Sequence, residues 1–383
     1  MKKVRWNNKG MTIRGGRYAL IFVLTLALLL AGCGSASSDA YDDADEISED
    51  TADVDIEESA DEEEIADDAE EASAEEVTEE DIAAEYGEIT ASGTCGDALN
   101  WYYTANGTLV ITGTGEMDNY PGGDDETAPW SHLNNATTQI VIFDGVTTIG
   151  EQAFISTAAA SVILPETLEE IGIYAFSDAD NLEEIEIPGS VYKISDEAFS
   201  YCDILKNVTL SDGLTIMGED VFRKDSCLEE IIIPDTVTEI GENVFTGCSS
   251  LKTVTLSESL TTISSATFSG CESLTEIIIP DSVTLIDEYA FRECTALHSV
   301  TIGTGISKIE IGAFAYCSSL NDITFCGNAP SFKSAFERGD LSPLLGVTAT
   351  IYYPEGNLTW ETLISDSEGD ETFYGGTITF EAY

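Results

Sequence analysis

Bases are scarce in this sequence. Fifteen Lys and Arg stand against 72 Asp and Glu among 383 residues, a formal net charge of -57. Nucleic-acid binding depends on Lys and Arg that displace condensed counterions, so this balance excludes it. A basic amphipathic membrane anchor is excluded on the same ground. His132 and His298 are the only histidines, which leaves little for histidine-based catalysis or a multi-histidine metal site. Nine cysteines are present, but no C-x2-C pair occurs, so no metal site is expected. A Gly-rich phosphate loop and a G-x-S-x-G elbow are also missing. Glycoside hydrolysis needs two carboxylates at a set separation in a cleft, and nothing singles out a pair among 72 acids. No catalytic residue and no cofactor is assigned, and the chain is not read as an enzyme.

Long hydrophobic runs are missing too. The longest, Tyr18 to Leu30, is short of the roughly 20 residues of a comfortable membrane span. It follows a positive segment holding Lys2, Lys3, Arg5, Lys9, Arg14 and Arg17, and it ends in Leu30-Ala31-Gly32-Cys33. Residues 1–32 therefore read as a secretory leader. The Ala-Gly-Cys ending resembles the bacterial lipobox. That resemblance implies cleavage before Cys33 and lipid attachment to its sulfur, with the protein held on the extracellular face of a bacterial cell membrane.

No Lys or Arg occurs between Tyr18 and Tyr192, and residues 34–86 hold 25 acids. Residues 33–86 lack sustained helical spacing and cannot bury enough apolar surface to offset chain entropy, so they are expected to be a disordered, self-repelling tether. A coil of this length spans on the order of 40 Å. It would hold a folded domain away from the membrane.

What the remainder does have is a period. Phe154, Phe176, Phe199, Phe222, Phe245, Phe268, Phe291 and Phe314 are spaced by 22 and then by 23 residues. From Phe176 on, each is followed six residues later by Leu, as at Leu182, Leu205 and Leu228. Five residues before each Phe lies Ile or Met217, and nine and eleven residues after lies an alternating apolar pair such as Ile231 and Ile233. The period-2 pattern in Leu228 to Ile233 marks a short strand. Pro234-Asp235-Thr236 turns the chain. Gly241, Ser195 or Asp287 is placed to cap one helical turn ending at the Phe. Such a unit cannot bury its apolar side alone, so the units must stack into a solenoid with a parallel sheet.

These residues resemble the BspA-type leucine-rich repeat of bacterial surface proteins, well represented by Ile279-Pro280-Asp281 through Leu297. The resemblance covers 140–325. Upstream, Ser92 to Gly96, Trp101 and Gly107 to Gly115 look like the β-rich segment that often precedes these repeats. Downstream, Tyr352 to Trp360 and Tyr374 to Thr379 look like the usual terminal segment. The resemblance implies a repeat solenoid: a leucine-rich-repeat right-handed superhelix of about nine short parallel strands and single helical turns, with a β-rich N-terminal cap (87–139) and a C-terminal cap (326–383). It also implies surface exposure, adhesion and an extracellular protein or glycan ligand.

Cys202, Cys248, Cys271, Cys294 and Cys317 all lie three residues after a repeat Phe, as a column of core thiols would. Trp101, Tyr102, Tyr103, Tyr120 and Trp130 read as the core of the N-terminal cap, with a sugar-stacking platform as the alternative. Asp124-Asp125-Glu126 reads as a surface loop without EF-hand spacing. The candidate ligand-binding residues are those eight and ten after each Phe, which point outward from the sheet: Glu184, Thr209, Glu230, Ile232, Thr255, Glu276, Ile278 and Thr301. Glutamates recur in alternate units, with hydroxyl-rich strands between them. One reading of this alternation is that it is only what sheet stability permits; the other is that Ile232 and Ile278, apolar where water should be, mark a contact strip flanked by glutamates. The alternative is an envelope spacer without a specific ligand; a glycan-active enzyme ranks last.

Overall fold

A computed structural model of the chain describes residues 77–123, 126–332, 342–367 and 373–383. The leader, Cys33, the tether as far as residue 76, and Asp124 and Asp125 lie outside the described residues.

The acidic stretch expected to lack structure up to residue 86 instead ends in a helix, α1 (Glu79–Tyr86). Its start is a capping box: the Thr78 hydroxyl accepts from the Asp81 amide, and the Asp81 carboxylate accepts from the Thr78 amide. Glu79, Glu80 and Asp81 in the first turn complement the positive end of the helix dipole. Ile82 is buried. One apolar anchor and a capping box suffice here, so no amphipathic period announced the helix.

Strands β1 (Ile89–Thr94), β2 (Leu99–Thr104) and β3 (Thr108–Gly113) form an antiparallel meander. β3 then pairs in parallel with β4 (Gln139–Ile142), so the meander passes directly into the solenoid. β4 pairs with β5 (Ser161–Ile163). A second parallel group contains β6 (Glu184–Ile187), β7 (Asn207–Leu210), β8 (Glu230–Ile232) and β9 (Thr253–Thr255). A third contains β10 (Glu276–Ile279), β11 (Ser299–Ile302), β12 (Asp322–Phe325), β13 (Thr348–Tyr353) and β14 (Thr377–Ala382). The 23-residue period is the pairing register: Glu184 faces Asn207, which faces Glu230, which faces Thr253.

The solenoid has a second strand ladder that the sequence did not announce. The Ile five residues before each Phe belongs to a two-residue strand, such as Lys193–Ile194, Ile216–Met217 or Glu239–Ile240, and these pair in parallel from unit to unit. Each unit therefore contributes two strands rather than one.

The segment around the Phe is not a regular helical turn. The residues two before and two after each Phe have positive φ, among them Tyr174 at 53°, Asp178 at 57°, Glu197 at 54° and Tyr201 at 60°. This alternation points the amides of Tyr174, Phe176 and Asp178 toward the next unit, where they donate to the carbonyls of Asp196, Ala198 and Ser200 at 3.0, 2.8 and 3.0 Å. The strand ladders run the other way, with the Tyr192 amide donating back to Glu169 and that of Ser195 to Ile171, each at 2.9 Å. Left-handed conformation costs a non-glycine residue roughly 1–2 kcal/mol. Buried backbone bonds made to the next unit offset it.

The core is a column of rings. Phe154 to Phe314 stack in sequence, with centroids 5.2–5.7 Å apart and planes within 19° of parallel. Trp130 closes the N-terminal end, stacked 5.5 Å from Phe154, with its indole N–H donating to the Ala153 carbonyl at 2.8 Å. Trp101 and Tyr120 meet Trp130 edge-on, and with Tyr103 they are buried. These aromatics are the cap's core, not an exposed platform. At the other end, α2 (Leu358–Asp366) buries Trp360 against Phe325 and Tyr353.

The five cysteines are fully buried and unoxidised. Their thiols donate to the Phe carbonyl 26 residues earlier, Cys248 to Phe222 at 3.1 Å and Cys271 to Phe245 at 3.3 Å. The column thus holds a weak donor as well as a small apolar group.

Candidate functional site

The broad face built by β6 to β11 carries the candidate residues, and the pleat decides which side chains reach it. Ile185, Ile187, Ile231, Ile277 and Ile279 point inward and are buried. The residues between them point out. Glu184, Thr209, Glu230, Ile232, Thr255, Glu276 and Ile278 are exposed and Thr301 is half-buried. All eight candidates therefore share one face, in two rows.

Ladder register fixes the rows. One runs Glu184, Asn207, Glu230, Thr253 and then Glu276, Ser299, Asp322. The other runs Glu186, Thr209, then Ile232 beside Thr255, then Ile278, Thr301, Thr324. Ile232 is 67% exposed and Ile278 is 69% exposed. They are two rungs apart, with the Thr255 rung between them.

Charge on this face is one-sided. The bases lie on its border, one residue before the strands. There Lys206 and Lys252, on either side of Glu229, contact it at 2.9 and 2.7 Å. The two ammonium groups hold the Glu229 carboxyl down at about 2. Among the described residues, Glu184, Glu186, Glu230 and Glu276 have no base within ion-pair distance. His298 is exposed in the border row, at the position Lys252 takes two units earlier.

The ladders are not continuous. β5 and β6 share no strand ladder, although the two-residue strands beneath them remain paired. Between β9 and β10 both ladders stop. The sequence did not signal either break. A cleft of about 360 Å³ opens at the second one, lined by Thr253, Thr255, Leu256, Glu258, Glu276 and Ile278 among others. On the Phe side the same two units stay joined: the amides of Asn243, Phe245 and Gly247 donate to Ser265, Thr267 and Ser269 at 2.9, 2.8 and 2.8 Å.

At the break a serine hydroxyl stands where a ladder amide is found elsewhere. In the neighbouring rungs a backbone amide donates to the inner carbonyl, Gly241 to Met217 and Asp287 to Ile263, both at 2.9 Å. At this rung the Ser264 hydroxyl takes the Ile240 carbonyl instead, at 2.6 Å. A side chain has replaced the amide. The contrast is Gly241, where an added Cβ would lie 2.5 Å from the Gly218 carbonyl.

No group of three or more His, Cys, Asp or Glu among the described residues is arranged to hold a metal ion. Among the same residues no helix is long and apolar enough to cross a membrane.

The chain matches the model of the BspA type leucine rich repeat region in six copies, over residues 131–252 and 215–340. Among solved structures it is similar to a leucine-rich repeat protein from Eubacterium ventriosum, at 20% identity, covering 76% of this chain and 96% of that one, TM-score 0.37. It is similar to the Treponema pallidum leucine rich repeat protein, at 25% identity, 53% and 90% coverage, TM-score 0.41. It is also similar to a leucine rich cell surface protein from Faecalibacterium prausnitzii, at 19% identity, 62% and 95% coverage, TM-score 0.28. No curated protein matches the chain in sequence.

Proposed function

Because the chain belongs to the BspA-type leucine-rich repeat family, we propose that it is a binding scaffold on the extracellular face of a bacterial cell membrane. It is anchored through lipid on Cys33, and its strand face engages an extracellular protein or glycan, most simply in adhesion. The solenoid supplies a rigid platform; the tether from residue 34 supplies reach. One observation carries the reading: Ile232 and Ile278 project from the same pleat position two rungs apart, each about two-thirds exposed. Isoleucine suits a strand for its own sake, but two of them at one pleat position leave apolar surface free to contact a partner. A pure spacer has no need of such a strip.

The test is capture by the mature chain on arrays of extracellular matrix proteins and of glycans. Replacing both residues, Ile232→Ser with Ile278→Ser, is expected to abolish capture and leave the thermal midpoint nearly unchanged. Undiminished capture by that variant would place the contact elsewhere.

A further inference from the structure

The strand face is interrupted where its exposed isoleucine, its unpaired carboxylates and a cleft coincide. β9 and β10 are adjacent rungs without a shared ladder. One long backbone bond crosses at the strand entry, from the Thr275 amide to the Lys252 carbonyl at 3.4 Å; beyond it the two strands share no ladder, which leaves backbone groups open to water or to a ligand. The cleft between them is about 360 Å³, large enough for one or two side chains. Its walls combine Leu256, Ile278 and Pro280 with the carboxylates of Glu258 and Glu276. No aromatic ring and no Lys, Arg or His lines it.

That combination fits one class of ligand. A lysine or arginine side chain pairs an aliphatic stem with a cationic head, and such groups lay the stem on apolar surface while the head seeks a carboxylate. A sugar ring stacks best on an aromatic platform, and the cleft offers none. The interruption at β5 and β6 lacks this character. Its cleft, about 310 Å³, is lined by Ser161, Glu184, Glu186, Asn207 and Thr209, with Val162 and Ile185 its largest apolar members, and the ladder beneath it is intact.

Resting on the strand-face reading above, we infer that the β9–β10 cleft is the anchor pocket of that face, and that its ligand is an extended, cationic peptide segment of a partner protein. A basic side chain of the segment enters between Glu258 and Glu276, its stem lies against Ile278 and Pro280, and an apolar residue on the same side of the segment reaches Ile232. The segment's backbone lies over the two strands that share no ladder.

The experiment uses the mature chain and a fluorescent twelve-residue peptide that repeats Lys-Thr-Leu-Thr, which puts lysine and leucine on one side of an extended chain, followed by anisotropy in 150 mM salt. A glutamate–leucine peptide of equal length and a neutral glycan panel serve as the other probes. The lysine peptide is expected to bind and the other probes are not. Glu258→Gln with Glu276→Gln should weaken the peptide at least tenfold. Glu75→Gln with Glu76→Gln removes the same charge from the tether and should change affinity less than twofold. Equal losses from both pairs would reduce the effect to net charge and overturn the pocket. Loss with Ile232→Ser and Ile278→Ser but not with the glutamate pair would keep the face and overturn its cationic ligand. Glycan binding without peptide binding would do the same. Indifference to all of these variants would overturn both the pocket and the face.

Discussion

Asp225 occupies the place in the thiol column that Cys248 occupies one repeat later, with its Oδ1 accepting from the Cys202 amide at 2.8 Å. It is fully buried and its second oxygen has no hydrogen-bond partner. Residue 225 lies 26 positions after Phe199, the interval at which Cys248 donates to Phe222. A protonated carboxyl can supply that donation to Phe199; a carboxylate cannot. Burial pushes the Asp225 carboxyl well up, against the Cys202 amide that favours the charged form, and the Asp203 charge adds to the rise. Cys202 and Cys248 face it as neutral thiols, their own ionisation suppressed first by burial.

The consequence is a pH-dependent weak point. The folded state holds its proton to higher pH than the unfolded chain, whose Asp titrates near 3.9. Stability is therefore lost as pH rises from about 4 toward the folded-state value. Asp225→Asn keeps an acceptor and gains a permanent donor. It should stabilise the protein at pH 7 by about 1–3 kcal/mol, the cost of an unsatisfied buried polar group, and by almost nothing at pH 3.5. Urea melts of the two proteins across that range measure the difference, and a gap independent of pH would rule the mechanism out.

The Phe column should behave as one packed object. Phe245 lies between Phe222 at 5.7 Å and Phe268 at 5.4 Å. Phe245→Ala is expected to cost about 3–5 kcal/mol through lost transfer energy and the cavity left behind. Tyr41→Ala, in the acidic segment, should not shift the melt. A Phe245→Ala protein as stable as wild type would mean that the column is not the core.

Thiol chemistry gives a check that needs no mutation. Cys227 is exposed, whereas Cys202, Cys248, Cys271, Cys294 and Cys317 are buried. Burial also raises the Cys271 thiol far above its usual range, which removes the reactive thiolate. In the native protein a thiol reagent should label Cys227 quickly and leave the five ladder cysteines unlabelled until urea is added. Fast labelling of Cys271 in the native state would contradict the ladder.

The anchor can be tested in cells. A clickable fatty acid should label the wild-type protein and not Cys33→Ala. Two chains on a diacylglyceryl group are enough for stable attachment. Equal labelling of both proteins would remove Cys33 from the account.

The period of 23 made the Phe column, the Leu positions and the broad strands legible, because each repeats as a large apolar residue at a fixed place. The second ladder escaped notice because its strands are two residues long, with only one inward side chain apiece, as at Lys193–Ile194. The left-handed positions escaped because stacking over-determines them: Gln152, Tyr174, Glu197, Asp220, Asn243 and Ala266 all adopt that conformation at one repeat position. The outward rows, including Ile232 and Ile278, followed from the pleat alone. The β9–β10 cleft did not, for at that rung a serine hydroxyl stands in for a ladder amide, and residue type alone does not give a hydroxyl's direction. Ser195 holds the position of Ser264, yet its amide keeps the ladder bond and its hydroxyl turns to Glu170 at 2.9 Å.

The central claim, that the strand face is the contact surface, is tested most directly by comparing two pairs of exposed apolar or aromatic residues in one capture assay. Ile232→Ser with Ile278→Ser alters the strand face. Tyr201→Ser with Tyr316→Ser alters the Phe-side ridge, where both rings are exposed beside Arg223 and Arg292. The first variant should lose capture and the second should keep it, with similar melting curves for the first variant and wild type. Capture retained by the isoleucine variant and lost by the tyrosine variant would move the contact surface to the opposite side of the solenoid.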